Sequence, residues 1–520
     1  MNTLVSPPAM HVQLDGQPLD EQVLDTMESL IVRQGASVPV QAELVFCNPP
    51  QSFLDAALGI NGQSLQVRIE GQEQALFLGL VTAVELKYTS YQSRYLYVRG
   101  HDRLYLLDRS RPVRAHFQMS LADLAGELAG ALDIDVNVPE PGPVIPTRVQ
   151  YSQSDLQLLR QEAEKAGLFF LLTGNQLAFF DLTGTDAQFQ LALDRNLISA
   201  EFEINSGVAC QGVEIKAWDP WLMEMREGYA TRAQGEEASI LPFGAEETRL
   251  TLPNRTAQSD EQVEMMANSL LQRRKAGEVV LRGIAEGNTN LRPGVGVEMK
   301  GAQQAVAGNY VLVKVNHIID RKQGYVCEID STPPLVEPDT TTSTATAFGQ
   351  VSHVADPEGL ARVRVVLPAF NDFETDWLDV VMPAAGPDKG LVALPDIGDR
   401  VVLLLVNGDP AQGIVLGGVY GSQSPPDAGV QGESVERYSF LTPGGQVIRM
   451  DDGAASIRME TTDGQFMELT PEGVQIGDAS GNVVEMTEQR CLIHAATQLE
   501  IEAPGNRVFV RGQAIDFERA

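Results

Sequence analysis

Cysteine and histidine are scarce in this sequence, which limits the metal chemistry it can support. The 520 residues include only 4 cysteines and 6 histidines. Structural and catalytic zinc sites need closely spaced ligands, and the sequence has neither a C-x-x-C pair nor an H-E-x-x-H motif. We therefore predict no metal site. Isolated cysteines are more often small buried apolar residues, and a disulfide between distant ones is the alternative. The four are Cys47, Cys210, Cys327 and Cys491.

Positive charge and long apolar runs are also lacking. Lysine and arginine number 38 against 70 aspartates and glutamates, a formal net charge of −32. A surface this acidic repels phosphate backbones, so we expect no nucleic-acid partner. No run of about 18 apolar residues could form a membrane-spanning helix, and the first residues lack the basic and apolar regions of a signal peptide. We expect synthesis and folding in the cytoplasm, or exit by a route that needs no signal peptide.

Motifs of catalysis are absent or incomplete. Residues 477–481 read G-D-A-S-G, one position away from a G-x-S-x-G nucleophile elbow, and they lie in a predicted turn. Residues 294–296 lack the third glycine of a dinucleotide loop, and no Walker lysine follows a glycine run. His101 stands beside Asp102, but a structural role is the favoured interpretation of that pair. We expect neither enzymatic activity nor a cofactor.

The sequence does have an ordinary globular composition, with 43% hydrophobic and 21% charged residues. Its length suggests about three or four domains. Strands predominate, since segments such as 66–70 and 95–99 alternate polar and apolar residues. Four helices are predicted, the third with Ser154 as N-cap and Gly167 as its stop. They are Leu19–Gln34, Ser120–Leu132, Ser154–Ala166 and Ser259–Ala276.

Composition divides the second half of the chain. Residues 333–347 are rich in proline and threonine and are predicted to be a linker that follows a first region, 1–332. Residues 348–420 contain five or six short apolar runs, typical of a small barrel such as the OB-fold. A second loose stretch, 421–440, leads to the last region, 441–520.

The last region carries a repeat. Apolar residues come in pairs separated by one residue, and successive pairs begin 7 to 10 residues apart with glycines in several gaps. Short strands at this spacing are typical of a β-helix or β-prism. The pairs are Ile448/Met450, Ile457/Met459, Met467/Leu469, Val474/Ile476, Val484/Met486, Cys491/Ile493, Leu499/Ile501, Val508/Val510 and Ile515/Phe517.

So thin a ribbon offers two inward side chains per strand, too few for one chain to enclose a core. Three chains wound around one axis could enclose it and would remove free sheet edges. We therefore favour an intertwined trimeric prism, and a plain antiparallel meander is the alternative. The predicted trimer core consists of Ile457, Met459, Met467, Leu469, Val474, Ile476, Val484, Met486, Ile493, Leu499 and Ile501. The predicted apex consists of Val508, Val510, Ile515 and Phe517.

These blocks, in this order, resemble the VgrG and phage baseplate hub-and-spike family over nearly the full length. In the first block the resemblance rests on YLYVRGHDRLYLLDR (95–109), YSQSDLQLLRQEAEKAGLFF (151–170) and the 291–320 segment. In the second it rests on DPEGLARVRVVLP, the Trp377 strand, LPDIGDRVVLLLVNGDP and GIVLGGVY. The set as a whole is far more specific than any one motif.

The resemblance implies a mainly β protein with two hub β-barrels and a few helices in 1–332, an OB-fold, and a trimeric β-helix spike. Three chains would present six barrels to a hexameric inner tube while the spike stays threefold, so the protein would be a symmetry adapter. Its implied partners are two further copies, inner-tube and baseplate proteins, effector cargo, and a PAAR-type tip protein on the apex. It would be made in the bacterial cytoplasm and assembled into a particle that is released or fired extracellularly and contacts the target membrane.

The length of the second loose stretch separates subtypes of the family. The T-even phage spike carries a lysozyme domain at this point, which about 20 residues cannot hold. No effector domain is expected after the prism, so the last strand would form a blunt platform for a separate tip. Because His494 is the only histidine in the prism, we expect no iron like that of self-sharpening phage spikes. This compact form is similar to spikes of extracellular contractile injection systems, such as the antifeeding prophage and Photorhabdus virulence cassettes.

Two functions follow as hypotheses. The favoured one is a structural spike that pierces the target envelope without catalysis. The alternative is an envelope-degrading hydrolase of a phage tail whose active site lies in the barrel region.

Overall fold

The computed structural model describes the chain in two compact units, one ending at Val419 and the other beginning at Tyr420. The described residues are 8–72, 74–90, 93–183, 187–193, 195–219, 224–232, 249–255, 259–303, 306–334 and 345–518. Most of the predicted 333–347 linker, residues 335–344, lies outside them. Within the described residues, no helix is both long and apolar enough to cross a membrane.

Five α-helices occur among the described residues of the first unit. Ser154, the N-cap predicted from the sequence, accepts a hydrogen bond from the backbone N–H three residues later, and Ser120 caps α3 in the same way. Gly167, just after α4, has a φ of 72°, the left-handed backbone conformation expected of a glycine that ends a helix. The helices are α1 Glu21–Leu24, α2 Gln51–Ala57, α3 Leu121–Gly130, α4 Asp155–Lys165 and α5 Asp260–Ala276.

Strands dominate the first unit. They are β1 Met10–Leu14, β2 Gln17–Pro18, β3 Met27–Gly35, β4 Gln41–Cys47, β5 Ser64–Ile69, β6 Phe77–Tyr88, β7 Arg94–His101, β8 Arg114–Met119, β9 Asp135–Asn137, β10 Ile145–Gln150, β11 Phe169–Thr173, β12 Gln176–Phe180, β13 Ala187–Ala192, β14 Leu197–Ile204, β15 Gly212–Asp219, β16 Glu224–Thr231, β17 Arg249–Arg255, β18 Val279–Glu286, β19 Gly296–Lys300, β20 Gly308–Val311, β21 Lys314–Asp320, β22 Gly324–Asp330, β23 Ala345–His353, β24 Arg364–Leu367, β25 Phe373–Glu374, β26 Arg400–Leu405 and β27 Gly413–Gly418.

The largest sheet joins strands that are far apart in sequence. Its eleven strands run in the order β14-β18-β22-β21-β3-β4-β7-β6-β5-β1-β2. One half follows from local hairpins near the N-terminus, and the other half comes from residues 197–330. The antiparallel β21–β3 pair connects the halves, with Ile319 opposite Leu30. The segments for which the sequence predicts two barrels therefore share one hydrogen-bonded sheet.

Helices cover small sheets beside this large one. Leucines of α3 and α4, among them Leu128 and Leu159, are buried with Phe170 and Leu177 of the β11–β12 hairpin. The long α5 packs on the β16-β15-β17 sheet, where Val263 is fully buried. Each helix thus buries one apolar stripe, as its spacing predicts.

A five-stranded sheet of order β25-β24-β23-β26-β27 contains the segment predicted to be an OB-fold. Its core includes Val365, Leu403 and Val415, and it also takes in Val149 from the two-stranded β8–β10 sheet. Arg362, fully buried beside this core, forms a bidentate ion pair with Asp356 at 2.7 Å for both contacts. This pair lowers the pKa of Asp356 well below its usual range, because the guanidinium stabilises the carboxylate.

The second unit contains a seven-stranded antiparallel meander, β30 to β36 in sequential order, and a short β28–β29 hairpin. Its strands are β28 Val430–Gln431, β29 Ser434–Val435, β30 Arg437–Leu441, β31 Val447–Asp451, β32 Ser456–Glu460, β33 Phe466–Thr470, β34 Gly473–Gly477, β35 Val483–Thr487 and β36 Cys491–His494. Six of the nine predicted pairs lie on these strands. The last three, in residues 499–517, lie in described residues that form no strand within one chain.

Three of the four predicted helices are confirmed, and the first is wrong. Leu19–Gln34 contains only the short α1, and then the chain enters β3. Leu30 and Val32 of β3 are fully buried at a spacing of two, because β3 is hydrogen-bonded on both sides, to β21 and β4. Helix α2 was not predicted.

Candidate functional site

The most distinctive surface of the chain is the apolar face of the β30–β36 sheet. Side chains of directly paired residues lie on the same side of an antiparallel sheet, so the register sorts the predicted pairs into two rows across it. The first ladder is Phe440, Ile448, Met459, Met467, Ile476, Val484 and Ile493. The second ladder is Tyr438, Met450, Ile457, Leu469, Val474, Met486 and Cys491.

These two ladders are not covered within one chain. On β31–β36, the exposed apolar side chains of the two ladders range from 37% accessible to solvent at Met467 to 54% at Ile493. Val474 and Val484 are half-buried. A contiguous apolar surface on a regular sheet is typical of an interface, because soluble proteins rarely leave such surfaces open to water. The ladders therefore form a candidate binding face.

The opposite face of the same sheet is polar and internally paired. Arg458 donates to Glu460 at 2.9 Å and to Glu468 at 3.0 Å, and its guanidinium lies 4.4 Å from the centre of the Phe466 ring. The Phe466 ring in turn covers Gly477, its cross-strand partner. The hydrogen bond from Arg458 lowers the pKa of Glu460. This face satisfies its own charges, so it suits contact with water.

A charged cluster fixes the start of the meander. The Asp427 carboxylate accepts from Arg437 at 3.0 Å and from Ser439 at 2.8 Å, and it lies 3.4 Å from Arg449. The pKa of Asp427 is held well below its usual range, first by the hydrogen bond from Arg437 and then by that from Ser439. Asp427 therefore holds strands β30 and β31 together through ionic contacts and hydrogen bonds, next to the first residues of both ladders.

The sequence located most of the candidate face but missed its first rung. Tyr438 and Phe440 extend the ladders onto β30, whereas residues up to 440 were predicted to be a linker. The alternation in Arg437–Leu441 was the available signal. The predicted core residues Leu499 and Ile501 and the predicted apex residues are exposed but lie outside the strands. Their assignment stays a prediction.

His101 and Asp102 do not form a catalytic pair in this geometry. Asp102 is buried, and its carboxylate accepts from the backbone N–H groups of Val40 and Leu104 at 3.0 and 3.1 Å. Burial raises the pKa of Asp102 to about 7. Nδ1 of His101 lies 2.8 Å from the Thr82 hydroxyl, and burial lowers the pKa of this histidine. Asp102 holds a turn in place, the role favoured from the sequence.

The G-D-A-S-G segment also has ordinary structural surroundings. Asp478, in the G-D-A-S-G segment, accepts from the backbone N–H groups of Ser480 and Asn482 at 2.9 Å each, so the segment is a tight turn. Over the described ranges, no three His, Cys, Asp or Glu side chains lie close enough together to hold a metal ion.

A buried polar cluster in the hub was not anticipated. Nδ1 of His317 lies 3.0 Å from the Tyr325 hydroxyl and 3.2 Å from the Cys327 sulfur. Burial lowers the pKa of His317 to about 4 and raises that of Cys327 to about 12. Both groups are therefore neutral near pH 7. They lie on the adjacent strands β21 and β22, and only the strand register, which the sequence does not display, brings them together.

Comparison with known proteins identifies the class to which this fold belongs. Residues 347–420 match the family described as the type VI secretion system/phage-baseplate injector OB domain. Residues 56–321, a little over half of the chain, match the family described as the Alg8 N-terminal domain. The chain thus belongs to the VgrG and phage baseplate hub-and-spike family, and over residues 56–321 to the Alg8 N-terminal domain family.

Solved structures show the same fold at low identity. The Francisella PdpA-VgrG complex in its half-lidded form aligns with a TM-score of 0.55 at 9% identity, covering 95% of this chain and 89% of that chain. The E. coli c3393 protein, a type VI secretion system component, aligns with a TM-score of 0.50 at 14% identity, covering 78% of this chain and 99% of that one. No curated protein sequence matches.

Proposed function

We propose that this chain is the structural hub and spike of a contractile, phage-tail-like injection machine, and that three copies close their ladders around one axis. The observation that carries this proposal is the pair of uncovered ladders. Three such sheets facing inward would bury both ladders from all three chains and leave the charged faces in water. The burial would be shared by all three chains, as in obligate oligomers.

The remaining parts of the proposal rest on the family. The hub would join the threefold spike to a sixfold inner tube, and the residues after β36 would carry a PAAR-type tip protein. In one solved relative, VgrG is in complex with PdpA, which supports assembly with further baseplate or cargo proteins. The assembled particle would act outside the producing cell, where the spike would pierce the target envelope. The extracellular contractile injection systems are the proposed subtype.

Two variants test the trimer, each placing one charge on a different face of the same strand. Leu469 lies in the second ladder, whereas its neighbour Thr470 points to the polar face. Leu469→Asp would place three carboxylates in the closed core, each costing several kcal/mol as an unpaired buried charge. We expect Leu469→Asp to abolish the trimer in multi-angle light scattering and Thr470→Asp to preserve it. A wild-type protein that is a stable monomer would contradict the proposal.

We further propose that the spike acts without catalysis. The supporting observation is that the candidate motifs, His101–Asp102 and residues 477–481, are occupied in holding turns. The purified trimer should release no fragments from peptidoglycan or other envelope polymers. Turnover that a single point mutation in the hub abolishes would instead support the hydrolase alternative.

A further inference from the structure

A cavity of about 340 Å³ opens on the hub, lined by parts of β5, β6 and β11 and by the loop at residues 289–292. Its walls combine the apolar side chains of Phe77 and Leu171 with two arginines, Arg68 and Arg292, and with Asp102. This volume lies in the range of small-molecule sites, which pair apolar walls with a few convergent polar groups.

Neither arginine has a carboxylate partner among the residues that the structure describes. Nη1 of Arg292 donates to the amide oxygen of Gln74 at 2.5 Å. Nε and Nη2 of Arg68 donate to the Gln66 side-chain oxygen at 3.0 and 3.1 Å, with that amide oriented to accept. Two guanidiniums thus line one cavity with side-chain amides as their partners among the described residues.

Asp102 does not neutralise these two cations. Its carboxylate is held by the backbone N–H groups of Val40 and Leu104. A guanidinium close to Asp102 would lower the pKa of this carboxyl, whereas burial raises it to about 7. Burial also lowers the pKa of the half-buried Arg292, with no carboxylate to offset the effect. A partly desolvated cation without a counter-charge favours the binding of an anion.

We propose that this cavity binds a small organic monocarboxylate, with the carboxylate between Arg68 and Arg292 and an apolar body against Phe77 and Leu171. Two guanidiniums offer the forked donors that suit a carboxylate. A single negative charge fits better than the two of a phosphate, because Asp102 lines the same cavity. The site is independent of the spike, since all of its residues belong to the hub.

Benzoate is a suitable probe, with neutral benzamide as its isostere and inorganic phosphate as the dianion. Isothermal titration calorimetry on the full-length protein should detect benzoate and neither of the other two. Removing one charge-assisted donor should weaken binding by about tenfold or more, so we expect that loss in Arg292→Gln and in Arg68→Gln. Arg282→Gln is the matched control, because Arg282 lies outside the cavity and pairs with Glu203 at 2.9 Å.

Three results would overturn the proposal. The first is the absence of benzoate binding to the wild type, or equal binding by benzamide or phosphate. The second is unchanged benzoate affinity in both cavity variants while circular dichroism shows them folded. The third is a change of oligomeric state in those variants without any benzoate effect, which would assign the arginines to an acidic residue of a second copy.

Discussion

At the scale of single residues, the most consequential contact on the polar face of the β30–β36 sheet is the Phe466 ring against Gly477. A Cβ atom built on Gly477 would lie 2.8 Å from a ring carbon of Phe466. The ring cannot move away freely, because Arg458 stacks on it. Glycine at this position lets the aromatic ring replace the missing side chain of its cross-strand partner, a device known to stabilise sheets.

We therefore expect Gly477→Ala to destabilise the sheet by about 1–3 kcal/mol, the usual cost of overpacking a tight contact. Thermal unfolding of the purified protein measures the loss. Gly444→Ala is the control, because a Cβ atom there would meet nothing within 4 Å. Equal melting temperatures for the two variants would show that the Phe466 ring shifts without cost.

Asp102 gives a prediction about pH. Its pKa is about 7 in the folded chain, above the ordinary value of 3.8, so the protonated form is favoured by folding. The stability that this group contributes is therefore present at low pH and lost as the pH rises through about 7. Asp102→Asn removes this titration, although it also perturbs the hydrogen bonds to Val40 and Leu104.

The measurement is the free energy of unfolding in urea at pH 5 and pH 8, for wild type and Asp102→Asn. We expect the stability of the wild type relative to the variant to be smaller at pH 8 than at pH 5 by up to about 2.7 kcal/mol, since only the roughly two pH units between 5 and 7 contribute, at about 1.36 kcal/mol each. Taking the difference cancels other groups, such as His317, whose lowered pKa acts in the opposite direction. A difference that does not change with pH would contradict the burial argument.

At the scale of elements, the sequence predicted those whose signals are local. Ser154 and Gly167 bound α4 as expected, because capping depends on residues within one turn. The segment 19–34 failed because Val23, Met27, Leu30 and Ile31 also fit a helical stripe. Its strand form depends on pairing with β21, which lies almost 300 residues later in the chain. Non-local partners of this kind leave no local signal.

In the spike, too, the sequence predicted the features that depend on local pattern and missed others. The repeat of apolar pairs predicted β31–β36 and the face that holds the pairs, because alternation alone sets the face. It did not reveal that Tyr438 and Phe440 begin the ladders. Residues 499–517 repeat the apolar pattern without forming strands in one chain, which is expected if their hydrogen-bond partners belong to other copies.

These last residues give an element-scale prediction. Val508→Asp or Ile515→Asp would introduce charge into the proposed apex, away from β30–β36. We expect the trimer to persist in light scattering, while co-purification of a co-expressed PAAR-type tip protein is lost. Asp516→Asn, a polar change beside Ile515, should leave the tip bound. A tip protein retained by both charged variants would contradict the apex assignment.

At the scale of the whole molecule, the hub and the OB sheet are parts of one compact unit. Val149 of hub strand β10 is buried in the OB core, and Phe117 of the paired strand β8 stacks on Phe373 with ring centres 6.3 Å apart. The Tyr151 hydroxyl donates to the Gly408 carbonyl across the same contact. A shared core makes the two parts unfold together.

The alkylation rates of the four native cysteines can measure trimer assembly without introduced labels. Cys210 and Cys327 are buried, Cys47 is half-buried, and Cys491 is exposed in one chain at the end of the second ladder. In the trimer Cys491 would be covered. We expect its alkylation by iodoacetamide, followed by mass spectrometry, to be at least about tenfold slower in wild type than in Leu469→Asp, while Cys47 reacts equally in both. Rapid labelling of Cys491 in a confirmed trimer would show that the ladders face outward there.

The two ladders also allow the length of the spike sheet to change by whole strands. Each strand adds one residue to each ladder, and neighbouring strands are about 4.8 Å apart, so seven strands give rows roughly 29 Å long. Duplicating or deleting one two-stranded hairpin would change that length by about 10 Å and leave every other cross-strand pair intact. The length of the sheet can thus change in fixed increments, while the side chains that each strand contributes to the two ladders stay the same.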